Sequence, residues 1–438
     1  MLLFPDILNC GLAALDSGKP VMGIKGVSML HGMEWFDLVW GIVPDYMHGV
    51  LLGITKMMLK LWFSSSYADK PYFLGRCIKH VDKSLKKMKP TDDISRLPRK
   101  IENNIHHYKA SELQMWLLFY AVPCLIDIMP SEYMNHFSLL VEGIYILLGD
   151  NITTEQLDNA ENILARYYAD FAELYGRNNC TLNLHNIGQH LSLYVRKLGP
   201  LWAWSCFAFE DMNGTILESV HGTGKVCYQI LWAMQAKKRL SVDCIHMKDP
   251  ALREFVQHAM NTRREVKIKH EAINCKIAGG MSTTVLNDDM IKKVKQILGI
   301  SDQDCIGNVS KVGRIILYDK VFFSKYYTRM IKRIGNIVLL HNDDNEYSLD
   351  SVIASVQYFL LHHNSNKCVA VVKNMKMNEH MALIHGSVSH LIAVQPENDD
   401  SEEQVILVED IQEKLLYLNG NTKRPCVARL PNFHGQSS

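Results

Sequence analysis

The chain has 438 residues, 47% of them hydrophobic and 21% charged, with a formal net charge of +1. That balance excludes a disordered or low-complexity protein and allows two or three domains with ample core. Its eleven cysteines are odd in number and include no Cys-x-x-Cys pair. This excludes a disulfide scaffold and a zinc ribbon and points to a reducing, intracellular compartment.

Residues 1–30 are Gly- and Leu-rich with little periodicity and read as loop and fragmentary structure. The start, Met1 to Asp6, lacks a basic n-region and is interrupted by Pro5, so it makes a poor signal peptide. Glu34 to Val43 reads as a short buried strand that delivers Asp45 to the head of an amphipathic helix, Tyr46 to Phe63. The ends of strands and the loops after them are where open α/β sheets keep their sites. From about Pro71 to Pro200 the pattern is helical. Helices are expected over Lys109 to Ile128, kinked or split at Pro123, and over Glu132 to Leu148. A third runs from Thr153, with Gln156 in the capping-box position, to Tyr175 before Gly176, and a fourth covers Asn183 to Lys197. The longest apolar stretch, Trp116 to Met129, is too short to span a bilayer, so no membrane partner is expected.

Pro200 to Phe209 reads as an extended or irregular apolar run. Glu210 opens a helix through Val220, Val226 to Arg239 forms another, and basic helical segments continue to about Leu298. Short strands follow at Arg314 to Tyr318, Ile337 to Leu340, Ile353 to Leu361, Val369 to Val372, Leu391 to Val394 and Val405 to Val408. Polar turns such as Asn342 to Asn345 separate them, as in a small β-barrel or twisted sheet. Pro396 to Gln404 reads as an acidic surface loop and the tail after Asn419 as disordered.

Charge is uneven. Residues 221–340 hold 21 Lys and Arg against 10 Asp and Glu, whereas residues 341–438 hold 7 against 13. A basic middle either binds a polyanion by neutralising phosphates or is a solvated helical surface. Lys237, Lys238, Arg239, Arg263 and Arg264 are the candidate nucleic-acid contacts. Trp202-Ala203-Trp204 offers rings to unpaired bases or simply fills a core. Gly222 to Lys225 imitates a phosphate loop, but Val226 stands where Ser or Thr would hold Mg²⁺. His185 and His190 are out of phase for one helix face. Lys109 and Glu112 read as a helix-surface ion pair.

Two carboxylates bracket the helical stretch, Asp45 after the expected strand and Glu210 at a helix start. Distant acids that converge can hold two divalent metals about 4 Å apart, and Mg²⁺ suits carboxylate and phosphate oxygens. His48, three residues after Asp45, is placed to cap or orient it. The residues around these acids carry a resemblance. Pro44-Asp45-Tyr46-Met47-His48, Ile24 to Ser28, Arg96-Leu97-Pro98-Arg99, Tyr108 to Glu112, Leu174-Tyr175-Gly176, Asn183-Leu184-His185, Gly199 to Trp202 and Phe209 to Gly214 occur in the order seen in one group. Across about residues 20–235 the chain resembles the CACTA (En/Spm-type) DNA transposases. The resemblance implies a ribonuclease-H-like DDE core with Asp45 as the second metal-binding acid and Glu210 as the third. It also implies Mg²⁺, DNA as partner and a nuclear location.

The family's first acid lies on a strand well upstream of this block, and no matching strand is found in the residues before Asp45. Asp37, if it shared an extended strand with Asp45, would lie about 26 Å from it, too far to substitute. The expectation is therefore α+β, mostly α. Residues 1–63 would be a remnant of an incomplete ribonuclease-H-like core, 64–200 an all-helical insertion, and 201–300 the end of the core with basic helices. Residues 301–419 would form a β-rich, barrel-like domain and 420–438 a disordered tail. Such a chain would bind DNA or a partner, with homo-oligomers allowed, and would be inactive in strand transfer. The alternatives are an active Mg²⁺-dependent transposase or nuclease, and an interaction scaffold with no nucleic-acid role.

Overall fold

The computed structural model describes residues 4–260, 266–301, 303–341, 352–377, 388–396, 401–420 and 425–431. A mostly helical N-terminal half leads into a β-rich C-terminal part in which every ladder is antiparallel. Helix α1 (Phe4–Ser17) occupies sequence that reads as loop. A π-helix at Tyr46–Thr55 then continues into α2 (Lys56–Phe63).

The expected strand over Glu34 to Val43 does not form. Those residues make turns, because the side chain of Asp37 accepts the N–H groups of Val39 at 2.7 Å and Trp40 at 3.0 Å. A short acidic side chain that closes on its own backbone competes with a ladder. The premise that separated Asp37 from Asp45 along a strand falls with it. Among the described residues no strand precedes Ile268, so Asp45 does not follow a strand.

The helical body follows the pattern closely. Next come α3 (Ile78–Lys87), α4 (Ala110–Met115), a π-turn (Trp116–Tyr120) and α5 (Ala121–Leu125), which accommodates Pro123 after the ladder is already shifted. Helices α6 (Ser131–Leu147) and α7 (Thr154–Tyr175) pack side by side. Thr153 caps α7 by accepting the Gln156 N–H at 3.2 Å, and the Gln156 amide oxygen answers at 3.0 Å. The stripe Leu157, Ala160, Leu164, Tyr167, Phe171 and Tyr175 is buried. Phe137 meets Trp62 edge-on at 4.9 Å, both fully buried at the centre of this core.

The fourth expected helix is two, α8 (Leu182–Gln189) and α9 (Leu191–Leu198), broken at His190. The Trp-rich run forms a 3-10 turn (Leu201–Trp204) instead of an extended segment, with Leu201 buried and Trp202 half-buried. Then come α10 (Phe207–Glu218), α11 (Val226–His246) and α12 (Pro250–Met260).

The expected basic helices to Leu298 give way to three short strands, β1 (Ile268–Glu271), β2 (Lys276–Ala278) and β3 (Met281–Thr283), before α13 (Asp288–Leu298). Strands β4 (Val309–Val312), β5 (Arg314–Leu317), β6 (Lys320–Phe323) and β7 (Ile337–Leu340) lead to the long β8 (Val352–His362) and β9 (Lys367–Asn374). After these come β10 (Leu391–Ala393), β11 (Gln404–Leu407), β12 (Ile411–Lys414), β13 (Leu416–Leu418) and β14 (Cys426–Ala428).

The strands form no closed barrel. Sheet β1-β2-β5-β6 faces a seven-stranded sheet built on β8 and β9. Ile277, Ile315 and Phe322 of the first meet Val356, Phe359 and Ala370 of the second, while Met290 and Val294 of α13 cover the far side. A third sheet, β10-β14-β13, packs on the helical body through Leu391, Leu416 and Cys426.

Polar clasps hold the two regions together. Arg333 donates to the carbonyls of Thr91, Ile94 and Ser95, and buried Lys414 reaches Asp92 at 2.8 Å and Asp93 at 2.7 Å. Arg263 and Arg264, the Asn342 to Asn345 turn, residues 397–400 of the acidic loop and residues 421–424 and 432–438 of the terminal tail lie outside the described residues. Where that tail is described it is not disordered as expected: Cys426–Ala428 is buried and pairs as β14 with both β10 and β13.

Candidate functional site

The site begins with a capping rule. Asp45 has extended backbone angles, and its carboxylate accepts the N–H of His48 through Oδ2 at 2.8 Å, closing the start of the π-helix. The same Oδ2 lies 2.6 Å from His48 Nδ1. An ionised carboxylate only accepts, so His48 donates here as its Nδ1–H tautomer. The other oxygen, Oδ1, accepts the backbone N–H of Cys206 at 2.8 Å. Asp45 therefore ties the helix it caps to the head of α10, 161 residues away.

Glu210 sits one turn beyond Cys206 in α10, its N–H bonded to the Cys206 carbonyl at 2.9 Å, and it is exposed. The Cys206 thiol is raised above its ordinary range, first by burial, then by the negative charge of Asp45 and a hydrogen bond to it, and last by the charge of Glu210. Sequence reading passed over Cys206, which no motif spacing marks. Its place beside Asp45, 161 residues away, is visible only once the chain is folded.

Asp45, His48 and Cys206 each bring a ligand atom within 4.8 Å of the others. One carboxylate, one imidazole and one sulfur suit a borderline cation of the zinc type, whereas Mg²⁺ prefers oxygen donors and keeps waters. With a nitrogen and a sulfur beside one carboxylate, the donor set fits an all-oxygen Mg²⁺ site poorly.

Glycines set the floor of the site. A Cβ on Gly53 would come within 2.5 Å of the Asn183 Nδ2 and 3.0 Å of the His48 carbonyl. A side chain at that position would push the Asn183 amide of α8 away from the π-helix. Tyr194 of α9 donates to the Val39 carbonyl at 2.6 Å, and Lys197 lies 3.7 Å over the Trp40 ring, fixing the turns that lead into Asp45. No protein-family model matches the chain, and neither the curated proteins nor the solved structures include a significant match.

The remaining candidates separate in space. Lys237, Lys238 and Arg239 lie exposed on α11, with Arg239 near Asp243 at 3.6 Å. His185 and His190, out of phase on one continuous helix, are brought together by the break between α8 and α9, their Nε2 atoms 3.2 Å apart. Lys109 is not the ion-pair partner of Glu112. Glu112 accepts the Lys109 backbone N–H at 2.9 Å and pairs with Arg99 at 2.7 Å. Gly222 and Gly224 offer their carbonyls to the Gln229 side-chain amide.

Proposed function

We propose that this is a transposase-derived protein, resembling CACTA-type DDE transposases, that binds DNA or a partner and does not itself carry out strand transfer. One observation carries the reading: Asp45 holds the Cys206 N–H, so the segment around Asp45 is bonded to the helix that carries Glu210. Other blocks of the resemblance also meet in pairs. Arg99 bonds Glu112, and Asn183 fills the space over Gly49 and Gly53.

The non-catalytic part rests on three features. Both Asp45 oxygens serve as structural acceptors, the cluster contains one carboxylate, and among the described residues no strand leads into Asp45. In a ribonuclease-H-like reading, the helical body would be the insertion of an incomplete core. DNA contact would use Lys237, Lys238 and Arg239, and self-association the apolar faces of α10 to α12. A nuclear location follows only from this reading. Among the described residues no helix is long and apolar enough to cross a membrane.

The test is duplex-DNA binding across a salt series, together with plasmid cleavage in Mg²⁺. Salt-sensitive binding whose slope falls in the Lys237→Gln, Lys238→Gln, Arg239→Gln variant, with no cleavage, is the expected result. Cleavage lost in Asp45→Asn and in Glu210→Gln would make the chain an active nuclease. No binding at any salt would leave an interaction scaffold.

The Asp45, His48 and Cys206 cluster favours a second reading, a site for a zinc-like cation with three protein ligands and an open position. Visible absorption on Co²⁺ addition, lost in Cys206→Ser, tests it.

A further inference from the structure

The chain crosses between the two facing sheets three times, from β2 to β3, β4 to β5 and β6 to β7, and the two short crossings run through glycine. Between β2 and β3 the chain passes from the four-stranded to the seven-stranded sheet through Gly279 and Gly280. Between β4 and β5 it returns through Gly313. Where two sheets part, a strand must bend, and residues without a side chain let it do so. Gly279 has φ +106°, in the left-handed region, and a Cβ there would lie 3.0 Å from Arg314 Nη2. The bends and the segment after β6 enclose an open cavity of about 450 Å³.

Its chemistry is cationic and aromatic. Arg314 and Arg329 line it beside Tyr326 and Tyr327, and the lining contains no carboxylate. Arg314 stacks over the Tyr327 ring at 4.6 Å, its buried Nε has no hydrogen-bond partner, and it has no carboxylate partner among the described residues. Lys311 lies 4.6 Å over Tyr326 from beneath, while Tyr326 remains 45% exposed. A guanidinium held on an aromatic plane without a counter-charge suits an incoming phosphate, and an exposed ring above a half-buried lysine suits a base. The cavity has room for about one nucleotide and none for a duplex.

We propose that this cleft binds single-stranded nucleic acid, with phosphate on Arg314 and Arg329 and a base stacked on Tyr326. The cleft is separate from the Asp45 site and does not depend on how that site is read.

The experiment is fluorescence anisotropy of the full chain with a labelled single-stranded oligothymidylate, against a matched duplex and a phosphoserine-rich acidic peptide. Arg314→Gln with Arg329→Gln is expected to weaken single-strand binding about tenfold and to lower the salt slope by about 1.4. Tyr326→Ala is expected to weaken it about fivefold to a hundredfold while leaving the slope unchanged. Unchanged binding in these variants overturns the proposal, as does tighter binding of the acidic peptide. Loss of single-strand binding only in the α11 variant Lys237→Gln, Lys238→Gln, Arg239→Gln also overturns it. Should Arg314→Gln fail to fold, the exposed Arg329→Gln and Tyr326→Ala carry the same decision.

Discussion

Helices α7 and α11 have nearly equal length, 22 and 21 residues, and opposite fates. Helix α7 carries one apolar stripe and buries six residues of it between α6 and α8. Helix α11 is apolar on most sides of its first half, yet among the described residues it buries only Cys244. Trp232 is 75% exposed and Tyr228 72%. A helix hydrophobic all round ordinarily lies inside a core. This one touches chiefly its neighbours α10 and α12, which also expose Phe209, Leu217 and Phe255. Periodicity announces a helix in both cases, but a helix is buried only if another element offers a groove of matching shape.

The comparison can be broken most sharply in the body. Phe137→Ala, opposite Trp62, is expected to lose about 3–5 kcal/mol by chemical denaturation, because the cavity it leaves sits in a rigid packed centre. Asp45→Ala removes a cap and the bond to Cys206 together. It should lose about 2 kcal/mol, with Asp45→Asn losing less, since an amide oxygen still caps.

A titration sharpens the picture of the body. Burial holds His136 below its ordinary range, although its bond to the Tyr167 carbonyl opposes the shift. The unfolded chain then binds the proton more readily, so stability is full above the ordinary histidine range and falls as pH drops through it. Denaturation midpoints measured between neutral and mildly acidic pH should show that slope, and His136→Gln should flatten it. The smallest effect belongs to the exposed arm formed by α10, α11 and α12. Trp232→Ala should change stability by no more than about 0.5 kcal/mol. A loss like that of Phe137→Ala would mean that the arm is covered in solution.

Most of the helical body was legible because its signals are local. The Thr153 and Gln156 capping box, the stripe of α7 and the stop at Gly176 act within a few turns, and the structure reproduces them. Six expected strands after Arg314 also form, since alternation and polar turns mark them. Glu34 to Val43 failed for an equally local reason that apolar content hid, the closure of Asp37 on its own backbone. The three- and four-residue strands β1, β2 and β3 are too short to show a period, and their neighbours make them strands.

The site divides along the same line. Capping and helical spacing are short-range, so the order of residues alone puts Asp45 before a helix and His48 within its reach. It took the folded arrangement to bring Cys206 to the second Asp45 oxygen, to part α8 from α9 so that His185 meets His190, and to lay Arg314 against Gly279. Those contacts join residues from different elements. Such pairings are chosen by how whole surfaces pack, and packing is a property of the folded chain.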